Sequence, residues 1–490
     1  MKNILIAFFL FCNCIIGHSQ IAAIGYYSEQ NVSSTVTLSG RITSDVKLYA
    51  KDINYLKGIV YITNGATLTI EAGAKVKGKS GADVATLVIC RGAKIIASGT
   101  AEKPIVFTSS AATPLAGDWG GIVICGTAPI NTSATANGTT ILGLYQTEGG
   151  ISNSTNLDGY AGSGDPAFPT SNAADNSGVF QFIRIEYAGY AYQPDSEINS
   201  LTLAAVGNGT TIDHIQVTYA KDDAYQWFGG TVNCKYLISY KTQDDDFDFG
   251  FGYNGKIQFG IALRDNTVAD ISRSNGIESY NTSSGTTATP VTSPVLSNFT
   301  IIGPRQNSSS TYNSLYYSGL HLRRNSSLSI FNSIVLGWPR GIFIDASTGT
   351  PTDLNITNNL LKIQNVTIGS NVDNVKYSVS GTSPTGATDA SILSWFSTSS
   401  YKNVIVTDAI DAGLVGPYLS TPDFKPSQNT YNSGTFNGSL GSINEFNFNS
   451  NTSFSDTFLQ DGFFTNTGFR GAVGLTGSDS NWWVGWAVWN

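Results

Sequence analysis

The chain has 490 residues, only 13% of them charged, a net charge of −8, 52 glycines, 25 phenylalanines, 23 tyrosines and one methionine. A mildly acidic chain without a basic patch is excluded as a binder of nucleic acid or anionic membrane, because phosphate contacts need Lys and Arg in number. Scarce Leu/Glu/Lys periodicity excludes a mainly helical fold. Gly, Asn, Ser and Thr between short β-branched runs predict many short strands and turns.

The first residues predict export. Lys2 precedes an apolar stretch from Ile4 to Ile16, interrupted only by Cys12, Asn13 and Cys14. Gly17, His18 and Ser19 offer a cleavage point that leaves Gln20 first, so residues 1–19 are expected to be a signal peptide. A membrane span needs about 20 apolar residues, and neither this segment nor any later run qualifies. The expected location is extracellular, outer-surface or periplasmic. Cys90, Cys125 and Cys234 lie in apolar runs. An odd, sparse set is no disulfide framework, and small buried hydrophobes are expected.

Residues 20–54 are expected to form a leader or cap, with a regular core over 55–345. From Gly58 to Gly78 three short apolar strands alternate with turns, and Leu68 and Ile70 alternate with Thr67, Thr69 and Glu71. The same texture returns at Leu87–Cys90, Ile95–Ile96, Ile105–Phe107 and Ile122–Cys125. In the centre, Ile212–Tyr219 is similar to Val232–Tyr240, with Tyr219 and Tyr240 standing 21 residues apart. Later versions are Ile257–Leu263, Leu296–Ile302 and Leu328–Leu336. A period of about 20–50 residues marks a solenoid whose turns stack to bury a shared core. The predicted fold is all-β: a right-handed parallel β-helix with N- and C-terminal caps. A β-sandwich or propeller is the competitor. Residues 346–450 are expected to be a less regular continuation with loops, and one helix is predicted at Thr388–Phe396, capped by Thr388 or Asp389. Residues 451–490, with Trp482, Trp483, Trp486 and Trp489, are expected to cap the open end.

Asp223, Asp244 and Asp265 fall at steps of 21 residues, with Asp222, Asp245, Asp246 and Asp248 around them. If the period is one coil, these carboxylates stack. Like charges so close oppose each other's ionisation. Calcium, which takes six to eight oxygen ligands, would offset that. The candidate calcium ligands are Asp222, Asp223, Asp244, Asp245, Asp246 and Asp248. The competing reading makes them solvated turn residues that cap backbone N–H groups. A catalytic reading needs paired acids or an acid with a base, for which Asp244, Asp246 and Arg264 are the candidates, with Arg273 or Lys241 as other bases. Tyr225, Trp227, Phe247 and Tyr253 could stack on sugar rings or fill the core. His214 and His321 have no local Cys or His partners, which argues against zinc.

These central residues carry a resemblance. Tyr55–Gly58 with Leu68–Gly73, Gly117–Ile122, Phe182–Gly189, Gly207–Ile212, Asp222–Asn233, Asp244–Asp248, Gly276–Glu278, Asn298–Gly303, Gly468–Ala472 and Trp482–Trp486 together resemble a family of secreted or outer-surface Bacteroidota β-helix proteins, many described only as hypothetical proteins or lipoproteins. The resemblance covers roughly residues 45–490. It implies export and a parallel β-helix and no settled reaction. Gln226 stands where that family usually carries an acid before Trp-Phe-Gly-Gly. The leading expectation is an extracellular scaffold or binding module for a polysaccharide or a surface protein. A calcium-assisted lyase or hydrolase, and a purely structural surface component, are the alternatives.

Overall fold

The structure, a computed structural model, describes residues 33–193, 196–426 and 455–489. The expected signal peptide, residues 1–19, lies outside the described residues. Among these, 26 strands join one sheet that winds around a continuous apolar core. Every pairing within that sheet is parallel. One column of strands runs Thr86–Ile89, Gly121–Cys125, Leu201–Ala204, Tyr225–Phe228, Phe247–Gly250, Ser274–Ser279, Tyr316–Arg323, Arg340–Ala346 and Asp373–Val379. A second runs Thr67–Ile70, Lys94–Ser98, Gly178–Glu186, Thr211–Thr218, Cys234–Tyr240, Lys256–Leu263 and Val295–Ile302, then on to Thr367–Gly369 and Val404–Val406. This is a parallel β-helix, as the repeating texture predicts.

Each coil closes because the long strands of the second column bend at one residue. Phe182, His214, Tyr236, Phe259, Asn298, Asn332 and Asn365 all have positive φ, between 50° and 67°. Such a conformation costs a non-glycine residue about 1–2 kcal/mol. Stacking along the column offsets the strain. Phe182 and His214 lie 4.3 Å apart by ring centroids, His214 and Tyr236 4.3 Å, and Tyr236 and Phe259 4.8 Å. Further along, Asn365 donates to Asn332 at 2.7 Å, and Asn332 donates to Ser297 at 3.2 Å. Inside the coil the widest residues include Trp119, Trp227 and Trp338. Trp338 fits because Gly276 and Gly319 lack a side chain: a Cβ on either would come within 3.0 Å of its indole. Cys90, Cys125 and Cys234 are buried, as their apolar surroundings predict.

Three boundaries differ from expectation. The winding begins before Tyr55, since Thr35–Ile42 already pairs in parallel with Ile53–Ile62, and Val46–Leu48 with Thr67–Ile70. The region 55–345 also holds an insertion. Between Cys125 and Gly178, two antiparallel hairpins (Ser133–Ala136 with Thr139–Leu142, Leu144–Gln146 with Tyr160–Gly162) leave the coil. The aromatic tail is not an end cap. Residues 455–489 lie along the side of the solenoid, where Trp482, Trp483 and Trp486 share a cluster with Ile238, Ile261, Leu263, Ile302 and Leu336. The outer face of the second-column strands carries apolar residues such as Ile238 and Ile261 among polar ones such as Gln216 and Thr300, and the tail supplies their outer layer. The helix Asp389–Phe396 forms as predicted, with Thr388 as N-cap in a capping box with Ser391. Of the loop-rich part of the 346–450 region, residues 427–450 lie outside the described residues.

Candidate carboxylate cleft

The acids sit where each coil turns into a first-column strand. Lys221–Ala224 leads into Tyr225–Phe228, and Gln243–Asp246 leads into Phe247–Gly250. Equivalent residues are in register: Tyr225 pairs with Phe247, and Phe247 with Ile277. The step is therefore 22 residues from Asp223 to Asp245 and 30 from Asp245 to Asn275. Asp223 Oδ1 accepts the Asp245 N–H at 2.9 Å, and Asp245 Oδ1 accepts the Asn275 N–H at 2.5 Å. Each of these two carboxylates thus ties its turn to the next coil, as the capping reading expects.

Their remaining oxygens converge on the neighbouring acids. Asp222, Asp223 and Asp244 each present a carboxylate oxygen within 4.8 Å of the others, and Asp245, Asp248 and Glu278 form a second such group. Asp222 and Asp244 are half-buried, while Asp223, Asp245, Asp248 and Glu278 are buried. Asp248 and Glu278 of the second group belong to an outward row in register across five coils: Thr202, Gln226, Asp248, Glu278 and His321. Gln226 Nε2 donates to Asp248 Oδ2 at 2.7 Å. Glu278 meets Arg323 and the Nδ1 of His321, whose Nε2 faces Asp345 at 3.3 Å. Ser272 Oγ donates to Asp244 at 2.5 Å. Two buried oxygens of residues in this region, Asp248 Oδ1 and Asn275 Oδ1, have no hydrogen-bond donor. A buried acceptor left unpaired is costly.

The electrostatics divide the row. Burial first, and then neighbouring carboxylates, push Asp222, Asp223, Asp245 and Asp248 well above the usual range. Asp244 is pushed up to about 7, chiefly by burial. Glu278 goes the other way: burial would raise it, but the Arg323 charge and the His321 hydrogen bond and charge together outweigh burial. The hydrogen bonds of His321 and Ser347 likewise overcome burial at Asp345, which falls to about 2. The Asp222–Asp223–Asp244 end therefore favours protonated carboxyls unless a cation offsets their charge, and the Glu278–His321–Asp345 end is internally balanced.

Several sequence expectations are corrected. Asp265 does not join Asp223 and Asp244. Leu263 pairs with Tyr240, so Asp265 follows a different point of the coil, and its carboxylate accepts from the backbone and hydroxyl of Thr267 at 2.9 and 2.6 Å. Asp246 is not a cleft residue. It accepts from Arg264 Nη1 at 3.0 Å and from Ser239 Oγ at 2.5 Å, with both charged side chains fully buried. Arg264 is sandwiched near Tyr316 and Trp338. Neither partner is free to act on a substrate, so the catalytic set Asp244, Asp246 and Arg264 is not assembled. Tyr225, Trp227, Phe247 and Tyr253 are fully buried in the core and offer no sugar platform. Tyr225 stacks on Phe247 at 5.4 Å, and its hydroxyl donates to the Ile215 and Ile238 carbonyls. Of the other bases considered, Arg273 lies over Tyr317 and Lys241 over Tyr219 and Tyr240. His214 stacks in the bend column.

Sequence reasoning missed Glu278, Asn275, His321 and Arg323 as members of the site. Long insertions separate their coils from Asp248, so no fixed period reaches them. The pattern of an outward polar residue between inward buried ones, apolar on both sides in Leu320-His321-Leu322 and on one side in Ile277-Glu278-Ser279, is the signal that could have found them.

No helix among the described residues is long and apolar enough to cross a membrane. No curated protein and no solved structure matches the chain. A family model described as a pectate-lyase-like beta helix domain matches residues 40–404, a range that holds all of the cleft acids. The chain belongs to the pectate-lyase-like beta-helix family.

Proposed function

We propose that the protein is an exported polysaccharide-binding scaffold whose carboxylate cleft holds calcium, with no catalytic step assigned to it. The observation that carries the reading is the pairing of two three-carboxylate groups on successive coils with the buried, donorless oxygens Asp248 Oδ1 and Asn275 Oδ1. An all-oxygen, strongly anionic donor set suits a hard cation with six to eight ligands. Asp222, Asp223 and Asp244 would hold calcium at the open end, and Asp245, Asp248 and Glu278 deeper in. Bound calcium supplies positive charge that an acidic sugar could meet, in a cleft that otherwise repels it. The family description supports a polysaccharide-related role at that general level.

Thermal melting of thoroughly chelated protein tests the ion. Calcium is expected to raise the melting temperature, whereas magnesium, which demands tighter octahedral geometry, raises it less. A melting curve unmoved by calcium rejects the site. Retention on polyuronate resin is expected only with calcium present, and neutral glycan resin serves as the contrast. Release of unsaturated uronides during that incubation would instead favour the lyase reading, with a base other than Arg264.

A further inference from the structure

The tail that covers the second column is held as a peptide ligand is held. Gln216 reads one tail residue through both backbone groups: its Nε2 donates to the Val488 carbonyl at 2.6 Å, and its Oε1 accepts the Val488 N–H at 2.8 Å. Gln258 does the same to Thr465, at 2.7 Å in each direction. Asn298, at the bend, donates to the Phe469 and Gly471 carbonyls at 3.1 and 3.2 Å. Thr300 Oγ1 accepts the Ala472 N–H at 2.9 Å, and the Asn332 carbonyl accepts the Gly471 N–H at 2.8 Å. These contacts satisfy main-chain groups that would otherwise lack partners in a segment without strands. The tail has only two short 3-10 turns of its own, at Thr457–Leu459 and Ser478–Ser480. Its path is set by the flank rather than by itself.

Anchors fix the direction. Trp486 is fully buried against Phe182 and His214, at 6.0 and 5.6 Å, and Trp482 packs on Tyr236 at 5.2 Å. At the other end, Asp456 pairs with Lys362 at 2.9 Å, and Asp461 pairs with Lys256. Backbone reading by fixed side-chain amides, buried aromatic anchors and end charges is the recipe for capturing an extended peptide. Residues 427–454 join the tail to the coil, a length of chain that spans up to ~90 Å when extended. Connectivity therefore does not confine the tail to its own solenoid.

We propose that this flank is a peptide-binding groove, that residues 455–489 are its ligand carried on the same chain, and that the tail of a second copy takes the same place. Exchange of an identical element between copies needs no new interface. The inference is independent of the carboxylate cleft.

The test uses the full chain with a protease recognition sequence inserted between residues 427 and 454. After cutting, the tail is expected to co-elute with the coil on size exclusion in native buffer. A fluorescent peptide of residues 455–490, added in excess, is expected to replace it with time. The Gln216→Ala and Gln258→Ala pair removes four hydrogen bonds and is expected to speed release about tenfold or more. Lys362→Gln, at the far end of the groove, is a milder variant should that pair fail to fold, and is also expected to speed release. A tail that separates on cutting overturns the proposal. So does a tail that stays while the labelled peptide never enters, or release rates unchanged by both sets of variants.

Discussion

The same coils present two outer faces with opposite fates. On the second column, the outward residues Ile238, Ile261 and Ile302 are apolar, and the tail covers them. On the first column, the outward residues Gln226, Asp248, Glu278 and His321 are polar or charged, and they stack in register beside the acids of the preceding turns. Both faces belong to parallel columns wound around one core, although in the central coils the second-column strands have seven or eight residues and the first-column strands four. What decides their fates is the chemistry of their outward residues. The inward pattern makes the solenoid, and the outward pattern decides whether a face becomes an internal interface or a site.

The largest break in that comparison is removal of the tail. A chain ending at residue 454 is expected to expose the cluster around Ile238 and Leu263, to bind a hydrophobic dye and to melt far lower. Trp486→Ala alone is expected to cost about 3–5 kcal/mol, as for other buried aromatics, measured by chemical denaturation. A Trp486→Ala protein of unchanged stability would mean that the flank does not need its cover.

Next is the pair Asp246–Arg264, which the cleft face turns inward. Arg264→Met leaves a buried carboxylate without its counter-ion and is expected to cost about 3–5 kcal/mol. Adding Asp246→Leu is expected to restore most of that loss, since a buried pair replaced whole is often neutral. Calcium affinity should not change in the double variant. A fall in calcium affinity there would return Asp246 to the ligand set.

A smaller effect is the pH dependence of the metal-free protein. Asp244 rises from 3.8 to about 7 on folding, and its neighbours rise with it. The folded state then holds more protons than the unfolded one across that window, so stability falls as pH rises from about 4 to about 7. Glu278 and Asp345 are lowered instead and contribute stability that is lost as pH falls below the usual carboxylate range, for Asp345 toward about 2. Saturating calcium is expected to flatten the fall between pH 4 and 7, because ion binding holds the carboxylates ionised. Melting temperatures against pH, with and without calcium, check this. The smallest effect is at Asp265, outside the cleft: Asp265→Ala is expected to stay within about 0.5 kcal/mol of the parent and to bind calcium unchanged.

The fold was legible because inward residues alternate with polar ones in runs such as Leu68-Thr69-Ile70 and Ile215-Gln216-Val217, and such runs recur whatever lies between them. The capped helix at Asp389 was legible from its own local residues. The site was legible only in part. Asp222, Asp223, Asp244, Asp245 and Asp248 stand close together in sequence on two adjacent coils, so a short period found them. Asp265 was misplaced because a constant step of 21 cannot follow steps of 22 and 30. Glu278 and His321 were hidden behind loops whose length carries no register. The inward turn of Asp246 toward Arg264, the burial of Tyr225 and Trp227, and the sideways path of the tail depend on which face a residue takes. Composition does not encode that.

The most direct test of the calcium cleft is a crystal structure of the protein grown with calcium, with the ion located by its anomalous scattering. The account predicts a peak bonded at about 2.3–2.6 Å to carboxylate oxygens of Asp222, Asp223 and Asp244, of Asp245, Asp248 and Glu278, or of both groups. A calcium-soaked crystal with no peak between Asp222 and Glu278, and with Asp248 Oδ1 bonded only to water, would contradict it.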